Sequence, residues 1–335
     1  MNSSTLSEAK YYEPVDQGVR CRLCPKGCFI GEGQSGFCRV RKNMGGRLYT
    51  QNYAACTAMA LDPIEKKPLY HFYPGSAILS LGTWGCNFSC QFCQNWQIAQ
   101  ATPEFREVTP LEAVRLAADC RKQGNIGIAY TYSEPSVWFE YVLDTAVEVN
   151  KAGMKNVLIT NGFIEEEPLK EALPYLDAMN IDVKAFTETY YKKVCAGSLE
   201  HVKKTVEAAA ACCHVEITTL LVPGMNDEKE EVTQLCRWLA GIRRDIPLHF
   251  SRYFPNYHFK KPPTPLETMS MAYETAKEYL DYVYLGNMGG AGSNTYCPSC
   301  GECVIDRVEG FIRLAEKNRC QHCGYKIAIL GEAGK

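Results

Sequence analysis

Between about residue 76 and residue 290, short apolar runs rich in β-branched residues alternate with stretches of helical periodicity. The runs are 77–82 (AILSLG), 126–131 (IGIAYT), 156–160 (NVLIT), 179–184 (MNIDVK), 215–222 (VEITTLLV), 248–252 (LHFSR) and 282–285 (YVYL). Several are near-continuous rather than alternating, which predicts strands covered on both faces. Thr109-Pro110-Leu111-Glu112 predicts a boxed helix start with proline in the first turn, stopped at Gly124. Glu134-Pro135 opens a second helix expected to reach about Ala152-Gly153, and 199–212 and 227–239 predict two more.

This alternation implies right-handed βαβ units and a parallel sheet. The number of units suits an α/β fold of the partial (β/α)6 type, a TIM-like barrel left open. Functional groups then collect at the C-terminal ends of the strands. The Cys86 loop follows the first strand and Ser133-Glu134-Pro135 the second. Asn161-Gly162 follows the third, Asp182 and Lys184 close the fourth, Pro223-Gly224 follows the fifth and Arg252-Tyr253 the sixth. Each by itself reads as ordinary turn chemistry. Their shared rim with a cysteine loop reads as a site.

The chain has 335 residues and a net charge of −2, which gives no global drive toward nucleic acid or an anionic membrane. No apolar run approaches the ~20 residues of a membrane helix. The start MNSSTLSEAKYYEP has neither a basic nor an apolar signal region, so a cytoplasmic protein is expected. Eighteen cysteines in a reducing compartment point to metal ligands rather than disulfides. Twelve fall in three groups, and Cys56, Cys120, Cys195, Cys212, Cys213 and Cys236 have no ligand spacing.

These groups divide the chain. A tail (1–17) precedes a four-cysteine segment (18–48), a linker packed on the barrel (49–75), the barrel itself (76–290) and a C-terminal ribbon (293–330). Cys297-x2-Cys300-Gly and Cys320-x2-Cys323-Gly are two knuckles of a four-thiolate zinc site, with a single iron as the alternative and Cys303 a bystander. That segment is too small to bury a core, so the metal is expected to supply its stability. Cys21, Cys24, Cys28 and Cys38 are assigned to zinc first and to an auxiliary iron–sulfur cluster second, since all-thiolate ligation suits both. Arg39, Arg41 and Lys42 read as a solvated charge run.

The loop GCNFSCQFCQNW (85–96) sets Cys86, Cys90 and Cys93 at C-x3-C-x2-C. Three ligands leave a metal position open, which a catalytic site needs. A zinc site with a distant fourth ligand and a purely structural cluster are the alternatives. The spacing, with the aromatic Phe92 before the last cysteine, resembles the radical S-adenosylmethionine superfamily. The resemblance implies a 4Fe-4S cluster whose open iron is chelated by S-adenosylmethionine. One electron, from a donor such as flavodoxin or ferredoxin, then yields a 5′-deoxyadenosyl radical that abstracts hydrogen.

The stretches DPIEKKPLYHF (62–72), PGS (74–76) and GCNF (85–88) extend it. With CRLCPKGC, GFCRVRKN, Tyr132-Ser133-Glu134-Pro135, Thr160-Asn161-Gly162-Phe163, Asp182-Val183-Lys184, Val222-Pro223-Gly224, CPSCGE and CQHCG, they resemble the AmmeMemoRadiSam-system radical enzymes, relatives of pyruvate formate-lyase activating enzyme. By that resemblance Ser133 and Glu134 stand at the superfamily's Gly-Gly-Glu segment, and Glu134 would accept from the cofactor ammonium. Asn161, Asp182 and Lys184 would line its ribose and carboxylate, and the backbone at Phe92 would meet adenine. The chain differs in having Tyr132-Ser133 for the glycine pair, and Ile159 where glycyl-radical activases often carry aspartate.

The expected function is hydrogen abstraction from a small molecule or a protein, with glycyl-radical activation as the alternative. A metal-ribbon nucleic-acid-binding or electron-transfer module is the rival class, and the near-neutral charge and barrel-sized centre speak against it, since a nucleic-acid binder should show a clustered basic face. His249, Arg252, Tyr253 and Tyr257 are the candidates for facing the substrate, with a core role the alternative for His249.

Overall fold

The computed structural model describes residues 5–332, so the first four residues of the expected tail lie outside it. At its centre is an eight-stranded sheet whose spatial order follows the chain. Strand β1 (Ala58–Pro63) runs antiparallel to β2 (Ala77–Gly82). From β2 onward all pairs are parallel, through β3 (Asn125–Tyr130), β4 (Lys155–Thr160), β5 (Ala178–Asp182), β6 (His214–Leu221), β7 (Leu248–Arg252) and β8 (Val283–Gly286). Neither β1 nor β8 has a second partner strand in this sheet, which makes the architecture a partial barrel.

Six helices make the crossovers: α1 (Pro110–Asp119), α2 (Phe139–Lys151), α3 (Glu166–Ala172), α4 (Leu199–Ala210), α5 (Lys229–Ile242) and α6 (Leu266–Lys277). Thr109 caps α1 as expected, its Oγ1 accepting from the Glu112 amide at 3.3 Å. The helix expected at Glu134-Pro135 starts as a 3-10 turn (Pro135–Trp138) before α2. Helices α3 and α6 were not anticipated. The buried face of α6 is Met269, Ala272, Thr275 and Ala276, small and mixed residues that give little apolar contrast.

Two expected segments are more structured than the sequence suggests. Residues 12–15 of the tail pair with Gly18–Cys21, which pairs in turn with Phe29–Gly31. The linker supplies β1, an edge strand of the main sheet. Arg41 is not a solvated charge but 1% exposed, its Nη2 donating to Glu140 Oε1 on α2 at 2.5 Å. Its Nη1 donates to the Lys10 carbonyl, and the Lys10 amide donates to the same Glu140 oxygen. A buried guanidinium must be paired, and this pairing clamps the N-terminal segment to the barrel.

Residues 64–73 underlie the barrel. Ile64, Leu69 and Phe72 are at most 1% exposed and pack with Ile78, Ala129, Val157 and Ala178 from β2 to β5. Each contributes about 1.5–3 kcal/mol by leaving water. Polar contacts set the register of this plug. Glu216 on β6, fully buried, accepts the amides of Tyr70 and His71 at 2.9 and 2.7 Å. The same carboxylate pairs with His214 Nε2 at 2.9 Å and His249 Nε2 at 2.6 Å. Asn180 Nδ2 donates to the Pro68 carbonyl at 2.8 Å.

The C-terminal segment docks on the same corner. Val304, Ile305, Ile327 and Ile329 form a small core with Tyr282 and Tyr284 of the barrel, so the segment does bury a core, but a shared one. His71 ties the parts together: its Nδ1 contacts the Ala328 carbonyl at 2.8 Å, and its Nε2 the Tyr284 hydroxyl at 2.5 Å. A neutral ring donates through the first nitrogen and accepts through the second.

Burial holds the His71 imidazole down to about 4. An unfolded histidine titrates near 6.5, so from about pH 6.5 to 4 the unfolded chain takes up a proton that the folded chain refuses. Stability is therefore full above that window and falls as pH drops through it, by on the order of 3 kcal/mol from this residue. Urea unfolding at several pH values should show the slope in the parent chain and a shallower one in His71→Gln. Identical slopes would mean that His71 is not held neutral.

Candidate active site

The pocket at the C-terminal rim of the barrel has a volume of about 370 Å³. Cys86, Cys90 and Cys93 line it, and so do Phe92, Ser133, Glu134, Asn161, Asp182 and Lys184. The strand-end rule thus brings six of the proposed cofactor residues to one place.

The cysteine loop is held from two sides. The Ser89 and Gln91 amides donate to the carbonyls of Cys195 and Val194 at 2.9 and 3.1 Å, in the π-helical turn Tyr191–Cys195 beyond β5. The Gly85 amide donates to Ile98 at 2.9 Å. Phe92 is buried between Tyr190 and Phe259. Burial pushes the Cys86 thiol well above its ordinary value, with the nearby Glu134 charge adding to it. Cys93 is pushed up to about 11, again by burial first. Deprotonated sulfur there needs a positive partner, which is the condition a metal cluster meets.

Glu134 is 2% exposed and braces the loops after β3 and β4. One carboxylate oxygen accepts from the Ser136 amide at 2.9 Å and from Thr160 Oγ1 at 2.6 Å. The other accepts from the Asn161 amide at 2.8 Å. Desolvation still raises its pKa, against these hydrogen bonds. Asn161 Nδ2 in turn donates to Asn87 Oδ1 at 2.9 Å and lies 3.7 Å from Cys86 Sγ. Opposite, Lys184 Nζ pairs with Asp182 at 2.7 Å. Burial alone would lower its pKa, but Asp182 and Cys90 raise it above the ordinary lysine value. Ser133 Oγ is buried without a hydrogen-bond partner, an available group in the pocket wall. These residues fit a cluster with one open position and a zwitterionic ligand beside it.

The floor was not anticipated. Lys67, 4% exposed, lines the pocket and pairs with Asp62 at 2.9 Å, while the Tyr132 hydroxyl donates to the same Asp62 oxygen at 2.9 Å. Tyr132 has φ +69, a strained value for a residue with a Cβ. Asp62 and Lys67 come from the plug and its edge strand, which precede the parallel units and lie outside the strand-end rule.

The four candidates for facing the substrate do not line this pocket. His249 is engaged by Glu216 beneath it. Arg252 Nε donates to the Thr264 carbonyl and the Tyr253 hydroxyl to that of Phe259, while Tyr257 stacks on Trp96. Away from the pocket, the sulfurs of Cys297, Cys300, Cys320 and Cys323 lie within 4.8 Å of one another and could hold an ion. Gly301 and Gly324 both take positive φ, as the knuckle turns require. Backbone N–H contacts reach the Cys300 and Cys323 sulfurs from Glu302 and Tyr325.

Residues 82–236 match the family described as the Radical SAM superfamily. An uncharacterized protein of Methanocaldococcus jannaschii is 46% identical over 338 residues, covering 97% of this chain and 100% of its own. The crystal structure of Streptococcus suis SuiB bound to S-adenosylmethionine is similar with a TM-score of 0.51 at 13% identity, over 66% of this chain and 55% of that one. A radical SAM methyltransferase from Sphaerobacter thermophilus is similar with a TM-score of 0.51 at 14% identity, over 64% and 67%.

Glu134→Gln tests the brace. Both oxygens face backbone N–H donors, so whichever end carries the amide NH2 meets another donor. The substitution should cost about 1–3 kcal/mol and lower the urea midpoint accordingly. An unchanged midpoint would show that these hydrogen bonds contribute nothing.

Proposed function

We propose that the rim pocket, in a chain whose residues 82–236 match the Radical SAM superfamily, binds an iron–sulfur cluster on Cys86, Cys90 and Cys93 with S-adenosylmethionine beside it. The observation that supports this most is the convergence of three thiols, Cys90 buried and Cys86 and Cys93 half-buried, with Glu134, Asn161, Asp182 and Lys184 in one cavity. When bound, the pair supplies one-electron cleavage of a sulfonium and a 5′-deoxyadenosyl radical that removes a hydrogen atom from substrate.

The chain's own groups bind and orient. Glu134 uses three of the roughly four acceptor directions of a carboxylate on its own loops, which leaves one for an ammonium. Lys184 offers a fixed cation to a carboxylate and Asp182 an acceptor to ribose hydroxyls. Ser133 Oγ is free to donate. The backbone at Phe92, on a buried ring, presents a flat surface for adenine.

The substrate lies on the floor, against Lys67 and Tyr132, both held by Asp62. The pocket of about 370 Å³ is shared by cluster, cofactor and the reacting part of the substrate. The four C-terminal thiolates take zinc, which closes their coordination and leaves them a structural role. A reduced flavodoxin or ferredoxin is the electron source.

Lys184→Met tests the binding mode. It removes a charge-assisted contact of about 1.5–3 kcal/mol, so S-adenosylmethionine affinity should fall about tenfold or more. Anaerobic titration of the reduced cluster's EPR signal with S-adenosylmethionine reads it. Unchanged affinity would remove Lys184 from the cofactor site.

A further inference from the structure

The N-terminal cysteines can be compared with two internal references. A tetrahedral ion with metal–sulfur bonds of about 2.3 Å holds its sulfurs about 3.8 Å apart. The C-terminal set matches: Cys297 and Cys323 are 3.6 Å apart, and Cys300 and Cys320 3.7 Å. Among the described residues it is the one set whose sulfurs all fall within 4.8 Å. The three cysteines of the rim pocket do not form such a set, as ligands to separate irons of one cube would not. Neither do Cys21, Cys24, Cys28 and Cys38.

All four line one cavity, together with Leu23, Ile30 and Val137 and the cations Lys26 and Arg41.

This cavity and the rim pocket are one residue apart. Asn87 lines the first, and its neighbours Cys86 and Phe88 line the second. Consecutive Cα atoms are about 3.8 Å apart. The two segments touch at Gly85, where a Cβ would sit 2.6 Å from Val40 Cγ1 and 2.8 Å from the Cys38 carbonyl oxygen. No side chain but hydrogen is tolerated there.

We propose that Cys21, Cys24, Cys28 and Cys38 hold a second iron–sulfur cluster, not zinc, and that it relays electrons to the rim cluster. A reduced low-potential carrier of the flavodoxin or ferredoxin class loses one electron to the N-terminal cluster. That cluster is reduced by one electron and reoxidised as it passes the electron inward, and no atom or proton moves. The relay rests on the radical reading above; the existence of the second cluster does not.

The test is the chain carrying Cys86→Ala, Cys90→Ala and Cys93→Ala together, reconstituted anaerobically. About four irons and one zinc should remain per chain, with the EPR signal of a dithionite-reduced cluster. No iron and about two zincs would overturn the assignment. In an otherwise intact chain, Cys24→Ser should lose about half the iron. Its rim cluster should still be reduced by dithionite but slowly by reduced flavodoxin. An unchanged rate with flavodoxin would overturn the relay and leave the second cluster to the iron count.

Discussion

A carboxylate taken out of water must be fully hydrogen-bonded, and the site is organised around one that is. Glu134 satisfies both oxygens on the amides of Ser136 and Asn161 and the hydroxyl of Thr160. Leaving any of these donors unmatched costs about 1–3 kcal/mol. The loops after β3 and β4 are thereby fixed to each other. Asn161, so placed, reaches Asn87 and comes near Cys86 Sγ. The cysteine loop is thus braced in part by an acid on the loop of the adjacent strand.

A second buried carboxylate does the same for the opposite end of the barrel. Glu216 holds the plug through the Tyr70 and His71 amides, and His71 passes the connection to the C-terminal segment. Lys67 belongs to that plug and reaches the pocket floor. Rim and floor are therefore set by two separate polar anchors joined by the strands. The proposed cofactor groups are on the rim, and of the groups proposed at the floor Lys67 comes from the plug and Tyr132 from the loop after β3.

The parallel strands were legible because each is a compact apolar run, and their ends then located Cys86, Glu134, Asn161, Asp182 and Lys184. What was missed depends on contacts between distant segments. Arg41 reads as one charge in a basic run, yet it is buried because Glu140, 99 positions on, pairs with it. Lys67 lies in a stretch quoted only for its family likeness, and nothing local shows that it folds under the barrel. His249 reads equally as a substrate group or a core histidine, and Glu216, on the neighbouring strand, makes it the second. Helix α6 buries small residues, so its pattern is faint. Local pattern reports which face of an element is apolar; it does not report which remote group satisfies a buried charge.

The central claim is that the rim pocket performs radical chemistry on S-adenosylmethionine. The most direct measurement is product analysis after anaerobic incubation of reconstituted, dithionite-reduced protein with that compound. The account predicts 5′-deoxyadenosine and methionine in equal amounts from the parent chain, and neither from Cys90→Ala. A parent chain with full cluster content that forms no 5′-deoxyadenosine, or a Cys90→Ala chain that forms as much, would contradict it.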